Sequence, residues 1–382
     1  MNAALPFSGS YAGDDVTFLL RPLAQQAFTG VADKEALIQS GRRHYSQMLS
    51  PESVPSARYM ALFDEACRAN NPRMARDCLR LAGLIAGRGP GAHGADRERR
   101  RLAIVSLARA GTPVGVVVTR LLRSVFDVEA VHYSVSIVRD RGIDAAALRH
   151  ILARGHRPES IVFVDGWTGK GVIARELAGS VEVFNLRHGA AIDPGLHVLS
   201  DLAGAAACAA SCDDYLIPSS ILNATVSGLV SRTVMDEDMG ADDFHGCVHY
   251  TQFAPHDRSR AFADDLTRLA LAHARDNGDN EPSLRDAPRP IDAGAARARS
   301  QDYIGAAMRR YGVADVNLVK PGLGEATRVL LRRVPRLLVL RDPRAPEVAH
   351  LAVLAEEKRV PVEVDPHLPY HAVSLIRSTS DG

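Results

Sequence analysis

Short apolar runs alternate with amphipathic segments between residues 102 and 187. The apolar runs are rich in β-branched residues and predict strands, whereas the segments from about 113 and over 143–155 have helical spacing. The predicted strands are 102–107, 131–138, 160–166 and 181–187. This alternation is typical of βαβ units and predicts an α/β fold with an open, mostly parallel sheet. Ligands of such sheets bind beyond the carboxyl ends of the strands.

The composition limits the class of protein. The chain has 382 residues, which is long enough for two domains or one large one. Its formal net charge is +1, so no global charge favours nucleic acid or membrane. No apolar run reaches the roughly 20 residues of a membrane-spanning helix, and residues 1–15 lack the features of a secretory signal. The five cysteines are too scattered for a disulfide framework, so we expect a cytoplasmic protein.

Two polar segments divide the chain. Residues 274–302 contain proline and few aromatic residues and are the predicted linker. The linker separates a larger domain, 1–273, from a smaller one, 303–382. Residues 86–101 are rich in Gly and Arg and predict a mobile loop or an insertion.

The stretch IVFVDGWTGKGVIARELA, residues 161–178, ends a buried strand on a carboxylate and a glycine-rich turn. Glycines allow close approach of the backbone to a ligand, and the N–H groups at the start of a helix attract anions. With Thr168 and Lys170 the turn has the chemistry of a phosphate site, and Asp165 has that of a sugar-hydroxyl or Mg²⁺ ligand. A plain strand–helix turn that needs glycine for steric reasons is the alternative.

A second stretch, SLARAGTPVG at 106–115, also follows an apolar strand and opens a helix. It offers Ser106, Arg109, Gly111 and Thr112 to one anion, and arginine binds phosphate oxygens in a bidentate manner. Two such turns on separate strands favour a ligand with two phosphate groups.

These stretches resemble two loops of the type I phosphoribosyltransferases: 106–115 the pyrophosphate loop and 161–171 the phosphoribosyl-pyrophosphate loop. More narrowly, GSYAGDDVTFLLRPL, YSVSIVRDRGID and VDGWTGKG resemble a bacterial family of tellurite-resistance and stress-response gene neighbourhoods. That family has a phosphoribosyltransferase-like N-terminal part and a pelota-like C-terminal domain, and it also carries the label cysteine protease StiP. The resemblance implies a type I phosphoribosyltransferase-like sheet plus a small C-terminal α/β domain.

The resemblance also implies roles for individual residues. Pyrophosphate would be bound by Ser106, Arg109, Ala110, Gly111 and Thr112, and the phosphoribosyl group by Asp165, Gly166, Trp167, Thr168, Gly169, Lys170 and Gly171. The catalytic residues would be Asp165, Arg109, Arg139 and Arg141, with Mg²⁺ on Asp165. The usual loop has two adjacent acids, whereas this chain has Asp165 followed by Gly166. The implied activity is N-glycosyl transfer with release of pyrophosphate.

A candidate acceptor site follows at residues 213–232. Ser219, Asn223 and Ser227 recur every four residues, so on a helix they would share one face and present hydrogen-bonding groups to an acceptor. The alternative is a solvated polar stripe.

Cysteine and histidine cluster in CAASC, 208–212, and HGCVH, 245–249. One interpretation is a zinc site built from Cys208, Cys212, Cys247, His245 and His249, although this is not a standard zinc-ribbon spacing. A second is a protease-like cysteine–histidine pair. Buried, inert cysteine is the third.

The C-terminal eighty or so residues predict the order helix, strand, helix, strand, with strands at 337–340 and 360–364 and a helix at 346–358. They resemble the L7Ae and pelota type of RNA-binding fold. In that family a Gly-x-Asn-Glu turn enters a kinked RNA. The turn here begins at Gly322, and Glu325 and Arg328 match the family pattern. Gly324 departs from it at the Asn position, and Lys320 adds charge for phosphate contact. A docking domain without RNA binding is the alternative.

Three functions remain open from the sequence. The first is a phosphoribosyltransferase linked to an RNA-binding module. The second is a nucleotide or phosphosugar sensor without turnover that acts on RNA. The third is a cysteine protease-like hydrolase. The predicted partners are phosphoribosyl pyrophosphate, an unknown acceptor, structured RNA and a second copy of the chain.

Overall fold

The computed structural model describes residues 7–24, 28–88, 101–235, 239–276 and 292–378. In these ranges the strands are β1 Thr17–Leu19, β2 Arg21–Pro22, β3 Arg101–Ala108, β4 Glu129–Val138, β5 Gly142–Ile143, β6 Ile161–Thr168, β7 Leu196–Asp201, β8 Cys208–Ser211, β9 Gly246–Cys247, β10 Val319–Pro321, β11 Pro335–Leu340, β12 Val362–Val364 and β13 Ala372–Ile376. The helices are α1 Val31–Gln39, α2 Ala57–Ala86, α3 Thr112–Ser124, α4 Ala145–Ala153, α5 Val172–His188, α6 Ser259–Asp276, α7 Ala293–Tyr311, α8 Leu323–Arg332 and α9 Ala349–Glu357.

The central sheet is built from the N-terminal part of the chain. Its strands lie in the order β1-β4-β3-β6-β7-β8, and every neighbouring pair in this row is parallel. The short strand β5 pairs with β4 in the antiparallel direction. The prediction of a mixed α/β fold with a mostly parallel sheet is therefore confirmed.

Helices cover both faces of this sheet. Ile104 and Val162 point to the face on which α2, α3 and α6 pack, whereas Val105 and Phe163 point to the face covered by α4 and α5. Strands buried on both faces read as nearly continuous apolar runs, as β3 and β6 do. No described helix has both the length and the apolar character that crossing a bilayer demands.

The predicted strand at 181–187 is wrong, because these residues form the second half of α5. Leu177, Val181 and Phe184 are buried and recur at intervals of four and three residues, which is helical spacing. The three face the sheet, while Val183 and Leu186 are exposed. The local run of β-branched and aromatic residues favoured a strand, and packing on the sheet favoured the helix.

Two further local predictions change. Strand β6 continues through Gly166 and Trp167 to Thr168, so the turn before α5 is shorter than the sequence indicated. Residues 213–232 form no α-helix: Pro218–Ser220 and Ala224–Val226 are single 3₁₀ turns. Ser219, Asn223 and Ser227 therefore do not share a helical face.

The C-terminal unit has its own four-stranded sheet in the order β10-β13-β11-β12. The predicted helix, strand, helix, strand order is confirmed by α8, β11, α9 and β12, whereas β10 and β13 were missed. Most of the predicted linker and of the predicted loop at 86–101 lies outside the described residues. Helix α7 already begins at Ala293, inside the predicted linker.

The two units share a core. Leu323, Ala326 and Leu330 of α8 belong to the same buried cluster as Ile217 and Leu222, which follow the central sheet in the chain. Apolar side chains in contact across a boundary favour one folded body over two independent ones.

Candidate functional site

The two predicted anion-binding turns lie side by side. Strands β3 and β6 are parallel neighbours, so their carboxyl ends meet at one edge of the sheet. A Cβ on Gly111 would lie 2.9 Å from the oxygen of Val164 and 3.0 Å from Oδ1 of Asp165, so a larger residue does not fit there. The turns at 106–112 and 165–171 are therefore adjacent.

A cleft of about 740 Å³ opens at this edge, between the central sheet and the C-terminal unit. Nine basic and three acidic residues line it among the described residues. The basic residues are Lys34, Arg109, Arg139, Lys170, Arg232, Lys320, Arg328, Arg332 and Arg333, and the acidic ones are Glu52, Asp165 and Glu325. The cleft is therefore suited to an anionic ligand.

Many predicted site residues line this cleft. They are Arg109, Ala110, Arg139, Asp165, Trp167, Thr168, Gly169, Lys170, Gly171, Ser219, Asn223, Ser227, Lys320, Glu325 and Arg328. The predicted residues that are not part of the lining are Ser106, Gly111, Thr112, Arg141, Gly166, Gly322 and Gly324. Ser219, Asn223 and Ser227 meet at the cleft although no helix aligns them.

The hydroxyl groups of the first turn serve the interior instead. Ser106 and Thr112 are fully buried. Ser106 Oγ lies 2.7 Å from Nε2 of His132, and Thr112 Oγ1 lies 2.8 Å from Oγ of Ser134. These bonds join β3 and α3 to β4, so neither side chain is directed at a ligand in the cleft.

Arg109 is held by a partner that the sequence did not indicate. Its Nη1 lies 2.6 Å from Oε1 of Glu52 and donates to the oxygen of Val230 at 2.8 Å, while Nη2 donates to Oδ1 of Asn223 at 3.1 Å. Both side chains of the ion pair are 11% exposed. The arginine is therefore fixed at the cleft wall with its charge largely balanced.

The charged form of Asp165 is disfavoured by burial. Burial raises the pKa of its carboxyl group to about 6, against the hydrogen bond from the Gly166 N–H and the charge of Arg328. That hydrogen bond measures 2.7 Å to Oδ1. A carboxyl group that titrates near neutral pH in a cleft has the property of many functional groups.

The charged form of Lys170 is also disfavoured by burial. Burial and, to a smaller extent, the charge of the neighbouring Lys320 lower the pKa of its amine to about 7. Its Nζ donates to the oxygen of Val316 in the C-terminal unit at 2.5 Å. An anion bound beside Lys170 would favour the charged form.

The turn predicted to bind RNA faces inward. A Cβ on Gly324 would lie 2.8 Å from the Trp167 ring, and the Arg328 guanidinium lies over that ring, 4.1 Å from its centroid. The N–H of Leu323 donates to Oδ1 of Asp214 at 2.8 Å. The turn is therefore packed against the central sheet and its charged side chains border the cleft.

The cysteines lie elsewhere, and none lines the cleft within the described ranges. Cys78 and Cys247 are fully buried, and burial raises the pKa of the Cys247 thiol to about 12. His245 is held by Ser136 Oγ, 2.8 Å from its Nδ1. Where the structure describes the chain, it contains no cluster of three or more His, Cys, Asp or Glu side chains suited to a metal, so the zinc interpretation gains no support.

Cys208 is a partly exposed cysteine whose register partner on the neighbouring strand is a histidine. It pairs with His197 across β7 and β8, so both side chains point to the same face of the sheet. Nδ1 of His197 lies 3.2 Å from the backbone oxygens of both Phe163 and Gly195, which places the ring proton on Nδ1. Arg88 donates to Nε2 and also pairs with Asp193.

The charges around this pair follow from its burial. Burial lowers the pKa of His197 to about 4, with a further contribution from Arg88, so the imidazole is neutral at physiological pH. Burial raises the pKa of the Cys208 thiol, and the charges of Arg88 and Arg80 oppose that rise. A neutral histidine has the nitrogen that can accept a proton from a thiol, but the lowered imidazole pKa and the raised thiol pKa both disfavour that transfer in the resting site.

Sequence reasoning named Cys208 but missed His197 and Arg88. The histidine is separated from the cysteine by ten residues of turn and strand, and no motif joins them. Their meeting depends on the register of two parallel strands, β7 and β8, neither of which was predicted.

Comparison with known proteins identifies the family. A family model described as "Tellurite-like stress resistance cysteine protease StiP" matches residues 9–267, and one described as "PELOTA RNA binding domain" matches residues 298–378. A protein of Acinetobacter baylyi (strain ATCC 33305 / BD413 / ADP1) named "Cysteine protease StiP" is 38% identical over 387 residues, which span 98% of this chain and 96% of that protein. No solved structure matches the chain.

These matches correct the predicted activity. The phosphoribosyltransferase prediction is wrong, because both the family and a relative of nearly the full length are named as cysteine proteases. The resemblance rested on two glycine turns, of which one directs its hydroxyl groups into the core and the other is partly strand. The chain belongs to the family of tellurite-like stress resistance cysteine proteases StiP.

Proposed function

We propose that this protein is a cysteine peptidase. One observation carries the proposal: the similarity to the Acinetobacter baylyi protein named cysteine protease StiP extends over 98% of the chain at 38% identity. Similarity of that extent covers the central sheet, its helices and the C-terminal unit alike.

Cys208 is the proposed nucleophile and His197 the proposed base. Cys208 is partly exposed, whereas Cys78 and Cys247 are fully buried. Cys67 and Cys212 are also partly exposed. Burial raises the pKa of Cys67 to about 12. Burial, together with the nearby acids Asp213 and Asp201, also raises the pKa of Cys212. Cys208 alone of these three has cations, Arg88 and Arg80, as its charged neighbours with no acid among them.

The chemistry follows from these groups. The Cys208 thiol gives its proton to Nε2 of His197, and the thiolate sulfur bonds to the carbonyl carbon of a peptide. The C–N bond then breaks, His197 returns the proton to the leaving amine, and water hydrolyses the thioester to a free acid and the thiol. Nε2 accepts a hydrogen bond from Arg88 in the resting structure. Proton transfer from Cys208 therefore requires Arg88 to move aside.

A peptide carrying a thiol-reactive electrophile tests the assignment. We expect the probe to label one cysteine of the native protein, and tryptic mass spectrometry to locate the label at Cys208. Cys212→Ala should leave the labelling rate unchanged, and His197→Gln should slow it because the proton acceptor is lost. Labelling of Cys67 or Cys212 at an equal rate, or the absence of labelling, would contradict the assignment.

RNA binding by the C-terminal unit is a second candidate function. The match of residues 298–378 to the pelota RNA-binding family favours it. We expect the full-length protein to bind a labelled RNA hairpin with an affinity that falls as salt rises, because phosphate contacts release counterions. A constant affinity between low and high salt, or no binding, would exclude this function.

The remaining expectations stay predictions. They concern a type I phosphoribosyltransferase-like arrangement of the sheet, the domain limits 1–273 and 303–382, Mg²⁺ on Asp165, an anion at 106–112 and 165–171, a homodimer and a cytoplasmic location. Asp165 is the acid of the cleft that would hold Mg²⁺, since Glu52 and Glu325 are paired with basic side chains.

A further inference from the structure

The basic cleft has no role in the proposed peptide hydrolysis. Cys208 is the first residue of β8 and His197 the second residue of β7, so both lie at the amino ends of their strands. The cleft opens beyond the carboxyl ends of β3 and β6. In a parallel sheet these are opposite edges. The excess of basic residues in the cleft therefore points to a second, anionic ligand.

Both units build the cleft. The central sheet and its turns contribute Arg109, Arg139 and Lys170, and the C-terminal unit contributes Lys320 and Arg328. Arg139 donates to Oδ1 of Asn317 at 3.1 Å, so this cation already bridges the two units. The site is incomplete in either unit alone.

The charge of the cleft is not balanced from within. Nine basic residues face three acidic ones among the described lining residues, and Glu52 and Glu325 are already paired with Arg109, Lys320 and Arg328. The Nε atoms of Arg328 and Arg332 are shielded from water and have no hydrogen-bond partner in the part of the chain that the structure describes. Both side chains line the cleft, where an anion would reach the accessible part of each guanidinium group and not its shielded Nε.

The shape of the cleft selects the kind of anion. Its volume of about 740 Å³ is within the range of pockets for one small molecule and excludes a double helix. The turn of the pelota-like unit is covered by Trp167 and by its bond to Asp214, so a folded RNA helix does not reach it while the units are packed. An unpaired strand has free bases and phosphates and needs far less room.

We propose that the cleft receives the unpaired end of an RNA strand, whose phosphates contact Lys170, Arg139 and Arg328 beside the Trp167 ring. This inference rests on the proposed RNA binding by the C-terminal unit and extends it to residues of the central sheet. The Arg328 guanidinium already covers the Trp167 ring, so phosphate contacts, and not a base stacked on that ring, would hold the strand.

Two labelled RNA hairpins with the same stem test the inference by fluorescence anisotropy. One ends blunt and the other carries a short unpaired 3′ overhang. We expect the overhang to be bound more tightly by the full-length protein. Because Trp167 is the single tryptophan of the sequence, its fluorescence should change with the overhang and stay constant with the blunt hairpin.

Variants separate the cleft from the outer surface. Lys170→Ala and Arg139→Gln should each weaken binding of the overhang and reduce the slope of log affinity against log salt by about one. Arg344→Ala is the matched control, since its side chain is 93% exposed on the C-terminal unit and does not line the cleft. Two variants in the cleft are used so that a folding defect in one does not decide the result. Thermal unfolding shows whether each variant is folded.

The outcomes are distinct. If both cleft variants bind RNA with unchanged affinity and salt slope, the inference is overturned, whereas the proposed RNA binding itself stands. Equal affinity for blunt and overhanging hairpins would do the same. Displacement of either hairpin by adenosine monophosphate, without any advantage of the overhang, would identify a free-nucleotide site instead. Failure to bind any RNA would remove the proposed RNA function itself.

Discussion

At the scale of single residues, the cleft holds two groups whose charged forms are disfavoured. Burial raises the pKa of Asp165 and lowers that of Lys170. The sequence indicated both residues, because a carboxylate and a cation followed a buried strand. It did not indicate Glu52, which neutralises Arg109 from a segment more than fifty residues away in the chain.

Asp165→Asn should stabilise the protein at pH 7. The folded pKa of about 6 exceeds the ordinary value of 3.8, so the contribution of Asp165 to stability is full below about pH 4 and is lost as pH rises through 6. The amide keeps an acceptor for the Gly166 N–H and removes this loss, so the free energy of unfolding should rise by at most about 3 kcal/mol. Asp302→Asn, at an exposed position of α7, should change it by less than about 0.5 kcal/mol. A Tm lowered by Asp165→Asn would refute this account of the carboxyl group.

Lys170 should make RNA binding in the cleft depend on pH. Its amine, with a pKa of about 7, faces Lys320, Glu325, Asp315 and Arg139. The amine loses its charge as pH rises through about 7, so the affinity for the overhanging hairpin should fall between pH 6 and 9. In Lys170→Arg the charge persists, and the affinity should stay constant over that range. Equal pH profiles for wild type and variant would exclude Lys170 as the titrating contact.

At the scale of secondary structure elements, local pattern succeeded where strands are buried and helices amphipathic. It predicted β3, β4 and β6 from short apolar runs rich in β-branched residues, and α3 and α4 from helical spacing. It failed at 181–187, where β-branched residues sit in a helix, and at 213–232, where polar residues with helical spacing lie in 3₁₀ turns. In both places tertiary packing decided the conformation.

The junction between α8 and β6 depends on the absence of a side chain at Gly324. A Cβ there would approach the Trp167 ring to 2.8 Å. Gly324→Asn, which restores the residue of the pelota pattern, should therefore lower the free energy of unfolding by about 1–3 kcal/mol. Gly305→Ala in α7, where the nearest atom would be Arg309 Nη1 at 3.6 Å, should leave stability equal or higher. Chemical denaturation measures both, and a neutral Gly324→Asn would show that the junction yields easily.

At the scale of the whole molecule, the two units behave in this account as one body. Their buried cluster is continuous, and Asp214 accepts two backbone hydrogen bonds from the C-terminal unit, from Leu323 and His371, each at 2.8 Å. The sequence predicted two units and their approximate limits. It did not predict that the pelota-like turn faces the central sheet, because that contact depends on three-dimensional docking.

Asp214→Ala should weaken this docking. Two buried N–H groups lose their acceptor, which should lower the free energy of unfolding by at least about 1–3 kcal/mol. The adjacent Asp213→Ala is the control, since that side chain is 71% exposed and pairs with Arg73, and its loss should matter by less than about 1 kcal/mol. Calorimetry should give one transition for the wild type. Two well-separated transitions in the wild type would contradict a shared core.

Peptide hydrolysis by matched cysteine variants identifies the nucleophile. The rate should be measured on a fluorogenic peptide library for wild type, Cys208→Ala and Cys212→Ala, with thermal unfolding to confirm that all three are folded. We expect the wild type and Cys212→Ala to hydrolyse peptides and Cys208→Ala to hydrolyse none. Hydrolysis that survives in Cys208→Ala, or a folded wild type that cleaves no peptide, would contradict it.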